Sequence, residues 1–211
     1  MGYKEAKITF YSDKITYVGD PFEGISAEPT GSPAWDEVVE KELEIMMSWE
    51  APIMERSAEF VCENGGDILE IGFGMGIASD YIQAQSPNSH TILELHPELA
   101  QKAREWAEDK PSVTIIEGDW IETISSLGKF DGIFFDTYGL FGHWLDVAEA
   151  IDSHANKGCH VSFWNATAKQ DGTHCGFDDS YNITYERIEL EEVPYNDYYP
   201  YSFYYMPKVV L

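Results

Sequence analysis

The run Asp67-Ile-Leu-Glu70-Ile-Gly72-Phe73-Gly74-Met-Gly76-Ile-Ala78 limits what this chain can fold into more than any other stretch. An apolar, strand-like segment leads straight into three alternating glycines, and a helix-like segment follows over residues 77–85. Alternating glycines let the backbone turn tightly and approach a ligand closely, and the free N–H groups of the helix start face that ligand. Such a turn belongs to the first β-α unit of an open α/β sheet. Two details separate it from a dinucleotide-binding turn. Ile77 stands where the third glycine of that motif would be, and Glu70 precedes the first glycine by two residues. A carboxylate there repels pyrophosphate and suits a ligand that carries an ammonium group.

The rest of the chain extends the pattern. Strand-like segments at 68–71, 91–95, 113–117, 132–136 and 160–164 alternate with helical ones, and their connections are long enough for right-handed crossovers. The spacing therefore predicts a parallel sheet covered by helices. Segments 181–193 and 201–210 alternate in polarity around Pro194-Tyr195-Asn196-Asp197, which predicts an antiparallel hairpin finishing that sheet. Upstream, residues 7–18 read as a β-prone arm and 21–31 as a loop. Ser32-Pro33 reads as a helix start, and Val38, Val39, Leu43, Met46 and Met47 keep helical spacing toward a stop or kink at Pro52. A second helix is expected over 53–62. With 211 residues and 44% apolar content, the chain fits one domain, an N-terminal arm with helices over residues 1–64 and a core over 65–211.

Charge narrows the partners. The formal net charge of −25, from 38 acidic and 13 basic residues, opposes nucleic acid and favours a cationic acceptor. No apolar run approaches the ~18 residues of a membrane span, and the first residues lack the apolar stretch of a signal peptide, so a cytoplasmic protein away from membranes is expected. Cys62, Cys159 and Cys175 form no Cys-x-x-Cys pair and the histidines no ligand pattern, so no disulfide framework and no metal are expected.

Two further acidic positions fit a nucleoside. Glu94, with Leu95 beside it, ends the second strand about twenty residues after the glycine turn, where a carboxylate can accept hydrogen bonds from both ribose hydroxyls. Glu117-Gly118-Asp119-Trp120 ends the third strand. Asp119 can accept from an adenine amino group with Trp120 as an apolar wall, or it can simply cap the helical segment that follows.

Three runs together resemble a known family. They are Met46-Met-Ser-Trp49-Glu50-Ala-Pro52-Ile-Met54, the glycine turn itself, and Phe130-Asp-Gly-Ile-Phe-Phe-Asp136-Thr137-Tyr138. They resemble guanidinoacetate N-methyltransferase, while Glu94-Leu-His-Pro97 and Glu117-Gly-Asp-Trp120 look more like the related arginine δ-N-methyltransferases. The resemblance implies a Rossmann-like class I methyltransferase with a mostly parallel seven-stranded sheet. It also implies S-adenosylmethionine as cofactor, with S-adenosylhomocysteine as product, which agrees with the carboxylate at Glu70. Glu70, Gly72, Phe73, Gly74, Gly76, Glu94, Leu95, Gly118, Asp119, Trp120 and Asp136 would contact it.

By the same resemblance, Glu50 and Asp136 hold the acceptor's guanidino group, and Trp49, Thr137 and Tyr138 bound its pocket. The chemistry explains why two carboxylates are wanted. A guanidinium is planar, protonated and a poor nucleophile, so carboxylates on its edges orient one nitrogen, and one of them takes the proton lost on methylation. The expected activity is methylation of a guanidino nitrogen of a small molecule such as guanidinoacetate or arginine, by a monomer or homodimer. Protein arginine is the alternative acceptor. A cofactor-binding module without turnover is the alternative of another class, and the intact Glu50 and Asp136 argue against it. The chain departs from the family at residues 166–180, a short polar link in place of a longer helical segment.

Overall fold

The structure, a computed structural model, describes residues 3–19, 41–137, 146–191, 193–196 and 198–211. The expected loop at 21–31, the helix start at Ser32-Pro33, and Val38, Val39, Tyr138 and Asp197 lie outside these residues.

Two sheets make the frame. Strands β1 (Ile8–Phe10), β2 (Lys14–Gly19) and β3 (Lys41–Met47) form a small antiparallel sheet in that order. The large sheet contains β4 (Asp67–Ile71), β5 (Ser89–Glu94), β6 (Val113–Glu117), β7 (Phe130–Phe135), β8 (Ala155–Phe163), β9 (Ile183–Glu189) and β10 (Phe203–Val210). Its order is β6-β5-β4-β7-β8-β10-β9, parallel from β6 to β8 and antiparallel at β10. The helices are α1 (Ala51–Val61), α2 (Ile77–Ala84), α3 (Pro97–Trp106), α4 (Trp120–Thr123) and α5 (Asp146–Ser153). The expected parallel sheet with antiparallel closing strands is therefore present.

The central strands are apolar on both faces because both are covered. Ile68 of β4 and Phe134 of β7 join the cluster around α1 and α2. Leu69, Ile71, Ile133 and Phe135, on the opposite pleat, join the cluster around α5. That alternation inside near-continuous apolar runs is what a buried parallel strand requires.

Two expectations need correction. Residues 41–47 are strand, not helix. In β3 the register with β2 slips at Ile15/Thr16, leaving Ile45 as an extra residue, so Leu43, Met46 and Met47 are all buried. A bulge that shifts the pleat by one residue puts positions i and i+3 on one face, and with Met47 also buried at the end of the strand the spacing imitates a helix. Pro52 does not stop a helix but opens α1, in its first turn, where its missing N–H costs nothing. The antiparallel closing pair is present as expected. Residues 190–202 connect β9 to β10, and that connection reaches the site described next.

Candidate active site

The glycine turn leaves β4 at the carboxyl edge of the parallel sheet, where open α/β sheets bind ligands. Gly72, Gly74 and Gly76 all have positive φ, at 95, 55 and 77°. Gly72 also has no room for a side chain, since a Cβ there would fall 1.8 Å from the backbone oxygen of Asp136. The Asp136 N–H donates to the Ile71 carbonyl at 2.8 Å, so the two strand ends are held edge to edge.

Above this edge lies a cavity of ≈ 330 Å³, within the range of small-molecule sites. Of the expected cofactor residues, Glu70, Gly72, Phe73, Gly74, Glu94, Leu95, Gly118, Asp119, Trp120 and Asp136 all line it. Gly76 does not; it stands at the start of α2. Glu50, 86 positions from Asp136 in sequence, lines the same cavity, as does Thr137. Trp49 is not part of the wall: its ring stacks behind Tyr198 at 6.0 Å and faces a separate groove.

The carboxylates differ in how they are held. Glu94, buried, accepts hydrogen bonds from the Phe73 N–H at 2.8 Å and the His96 N–H at 2.7 Å, which lock it against the glycine turn. Burial raises its pKa, and those backbone donors oppose the rise. Glu70, fully buried, accepts from the Ser79 hydroxyl at 2.7 Å through Oε2, which also lies 2.9 Å from His90 Nε2. Its other oxygen, Oε1, is buried with no hydrogen-bond partner among the described residues. Such an orphan is costly unless a ligand satisfies it. Asp119 accepts from the Ile121 N–H at 3.0 Å and so caps α4 while also lining the cavity.

Glu50 sits in the single 3₁₀ turn Ser48–Glu50 between β3 and α1. Its Oε1 accepts from the Met47 N–H at 2.7 Å and from the Tyr198 hydroxyl at 2.6 Å. Burial, then the charge of Asp136, push its pKa up to about 8. Asp136 is pushed up to about 7 by burial and then by Glu70 and Glu94. Asp136 thus raises Glu50, and Glu70 and Glu94 raise Asp136, so negative charge is crowded along this wall.

Tyr198 and Glu44 are wall residues that the sequence reading missed. Asn196, buried, accepts from the Tyr198 and Tyr199 N–H groups at 3.1 and 2.6 Å and donates to the Pro194 and Tyr199 carbonyls, which folds this stretch into a knot aimed at Glu50. The Asn after Pro194-Tyr195 signals a turn but not its target. Trp164, just past β8 at the sheet's carboxyl edge, also lines the cavity, and its position was the available signal. Tyr3 and β3 close the top. His96 Nε2 donates to the Ala6 carbonyl at 2.8 Å and ties the first residues down, while Met46 Sδ accepts from the Met75 N–H at 3.3 Å. Among the described residues no group of His, Cys, Asp and Glu is arranged to hold a metal ion, and no helix is long and apolar enough to cross a membrane.

Fold and site together define a Rossmann-like class I methyltransferase. Spermidine synthase from Thermotoga maritima superposes with a TM-score of 0.64 at 11% identity, over 97% of this chain and 72% of that one. The O-methyltransferase from Bacillus cereus, solved in complex with SAH, gives 0.59 at 14% identity over 76% of this chain and 80% of that one. At such identities these likenesses speak for the fold. The guanidinoacetate N-methyltransferase model matches residues 32–160, and the chain belongs to that family. Protein arginine N-methyltransferase 2 of Yarrowia lipolytica is 32% identical over 159 residues, 70% of this chain. The chain spans about 30% of that relative's length.

Proposed function

We propose that this chain transfers a methyl group from S-adenosylmethionine to a guanidino nitrogen of a small cationic acceptor, arginine-like or guanidinoacetate-like. The observation that carries the reading is that Glu50 and Asp136, far apart in sequence, meet on the wall of the cavity that the glycine turn opens. The residues present fit the cofactor. The unpartnered Glu70 Oε1 suits its ammonium, the glycine turn leaves room for close approach, Glu94 suits the ribose hydroxyls, and Asp119 with Trp120 and Leu95 suits the adenine. When bound, S-adenosylmethionine supplies an electrophilic methyl group on a sulfonium.

The chain's own residues then act on the acceptor. Glu50 and Asp136 accept hydrogen bonds from the guanidinium edges and orient one nitrogen, a positioning effect worth up to ~7–11 kcal/mol. Asp136, with its pKa near 7, takes the proton lost from that nitrogen, which contributes ~10²–10⁴-fold. Thr137 Oγ1, buried without a partner among the described residues, is a further donor to the acceptor. Tyr198 holds Glu50 in place. Tyr138 stays an expected pocket residue.

A second reading, protein arginine as acceptor, is favoured by the name of the relatives. Mass spectrometry after incubation with methyl-labelled cofactor tests both: label in a guanidino compound, or in arginine residues of a lysate, supports the chemistry. Label in neither, with a panel of guanidino compounds present, would contradict it.

A further inference from the structure

We propose that the acceptor is an alkylguanidine with no carboxylate near its guanidinium, and that the site discriminates against guanidinoacetate; this rests on the guanidino-methylating function proposed above. Six carboxyl groups, those of Glu44, Glu50, Glu70, Glu94, Asp119 and Asp136, line one cavity of ≈ 330 Å³. Among the described residues of that wall there is no Lys, Arg or His. Lys14, on the neighbouring strand, is engaged by Glu44 at 3.5 Å. Arg56, Arg104 and Arg187 pair with Glu186, Glu117 and Glu189 on the outside of the molecule. In the sequence, residues 20–40 and 138–145 include no Lys or Arg.

The cofactor side of the cavity points the same way: Glu70 Oε1 is buried with no hydrogen-bond partner among the described residues and suits the cofactor's ammonium, so it offers an acceptor's carboxylate nothing. The upward shifts of Glu50 and Asp136 have the same meaning: negative charge is crowded before any ligand arrives. An incoming cation relieves that crowding. An incoming carboxylate adds to it, and in a site shielded from water the repulsion is large.

Molecular geometry then ranks the acceptors. In guanidinoacetate one methylene separates the two charged ends, so a guanidinium clamped by Glu50 and Asp136 brings its own carboxylate close to the acidic wall. The molecule is also a net-neutral zwitterion and relieves nothing. Arginine carries its carboxylate several bonds further out, and agmatine (4-aminobutylguanidine) replaces that end with a second cation. A blocked arginine such as N-acetylargininamide presents a guanidinium with a neutral far end.

The test is calorimetric titration of the chain, saturated with S-adenosylhomocysteine, with each of the four compounds, alongside transfer of labelled methyl to each. Agmatine and N-acetylargininamide should bind at least ~10-fold more tightly than guanidinoacetate, with arginine between, and turnover should follow the same order. Tighter agmatine points to a free guanidino amine, and tighter N-acetylargininamide to a peptidyl source. Glu44→Arg should raise guanidinoacetate affinity relative to agmatine, and Glu44→Gln should do so more weakly should the arginine variant fail to fold. Guanidinoacetate binding as well as agmatine would overturn the inference and leave the methylation of a guanidino group standing. Failure to bind or methylate any of the four would overturn both.

Discussion

The two walls of the cavity are both built from carboxylates, and the protein satisfies them to different degrees. On the cofactor wall, Glu94 and Glu70 are held by the protein itself, through the Phe73 and His96 amides in one case and Ser79 with His90 in the other. On the acceptor wall, Glu50 and Asp136 are pushed up by burial and by neighbouring acids. The first wall is largely set by the protein, with Glu70 Oε1 left without a hydrogen-bond partner among the described residues. The second is crowded with negative charge that a cation would relieve, and in the proposed function that difference is what suits a common cofactor fold to a guanidinium.

The largest expected effect falls on the acceptor wall alone. Asp136→Asn keeps the shape and removes the proton acceptor, so turnover on a guanidino substrate should fall by at least ~10²-fold while affinity for S-adenosylhomocysteine changes little. Equal losses in both would erase the distinction between the walls. Glu94→Ala attacks the other side. It removes charged hydrogen-bonding capacity and frees the Phe73 amide, so both forms of the cofactor should bind ~1–3 kcal/mol more weakly by calorimetry. Tighter binding of a nicotinamide dinucleotide than of either would show the wall misread.

Smaller effects sharpen the comparison. Tyr198→Phe removes a hydrogen bond that lowers the pKa of Glu50, so that pKa should rise further. The acidic limb of the kcat/KM profile should then move to higher pH, with a loss of roughly tenfold or less at pH 7 that recovers in alkali. A uniform loss at every pH would mean that Tyr198 only packs. Stability should respond as well. In the folded chain Glu50 and Asp136 keep protons that the unfolded chain, with ordinary values of 4.5 and 3.8, has already lost. Their contribution is therefore fully present below about pH 4 and disappears as pH rises toward 8. Thermal midpoints of the ligand-free wild type should fall across that window more steeply than those of the Glu50→Gln, Asp136→Asn double variant. Parallel curves would contradict the shifts.

What could be read from the sequence follows the same division. The cofactor wall is local: the glycine turn, Glu94 and Gly118-Asp119-Trp120 each end one strand of a regular β-α pattern, and position on the sheet edge supplies their meaning. The acceptor wall is assembled from distant pieces. Glu50 and Asp136 were found through resemblance to a family, since nothing in spacing links them. Glu44 was hidden by the bulge at Ile45, which made a strand look helical. Tyr198 was hidden inside a Tyr-rich stretch that reads as sheet packing, because the Asn196 knot that aims it depends on backbone geometry that only folding creates. Trp49 was assigned to the pocket for its place beside Glu50, yet in a 3₁₀ turn adjacent residues point apart.

The central claim is that a guanidinium settles the charge deficit of Glu50 and Asp136, and proton release measures it most directly. A guanidino acceptor is titrated into the chain saturated with S-adenosylhomocysteine at pH 7, in two buffers of different ionisation enthalpy. Binding should release on the order of one proton, because the cation drives Glu50 and Asp136 to ionise together. The release should vanish, with a large loss of affinity, in the Glu50→Gln, Asp136→Asn double variant. Binding that releases no proton, at an affinity the double variant retains, would contradict the account.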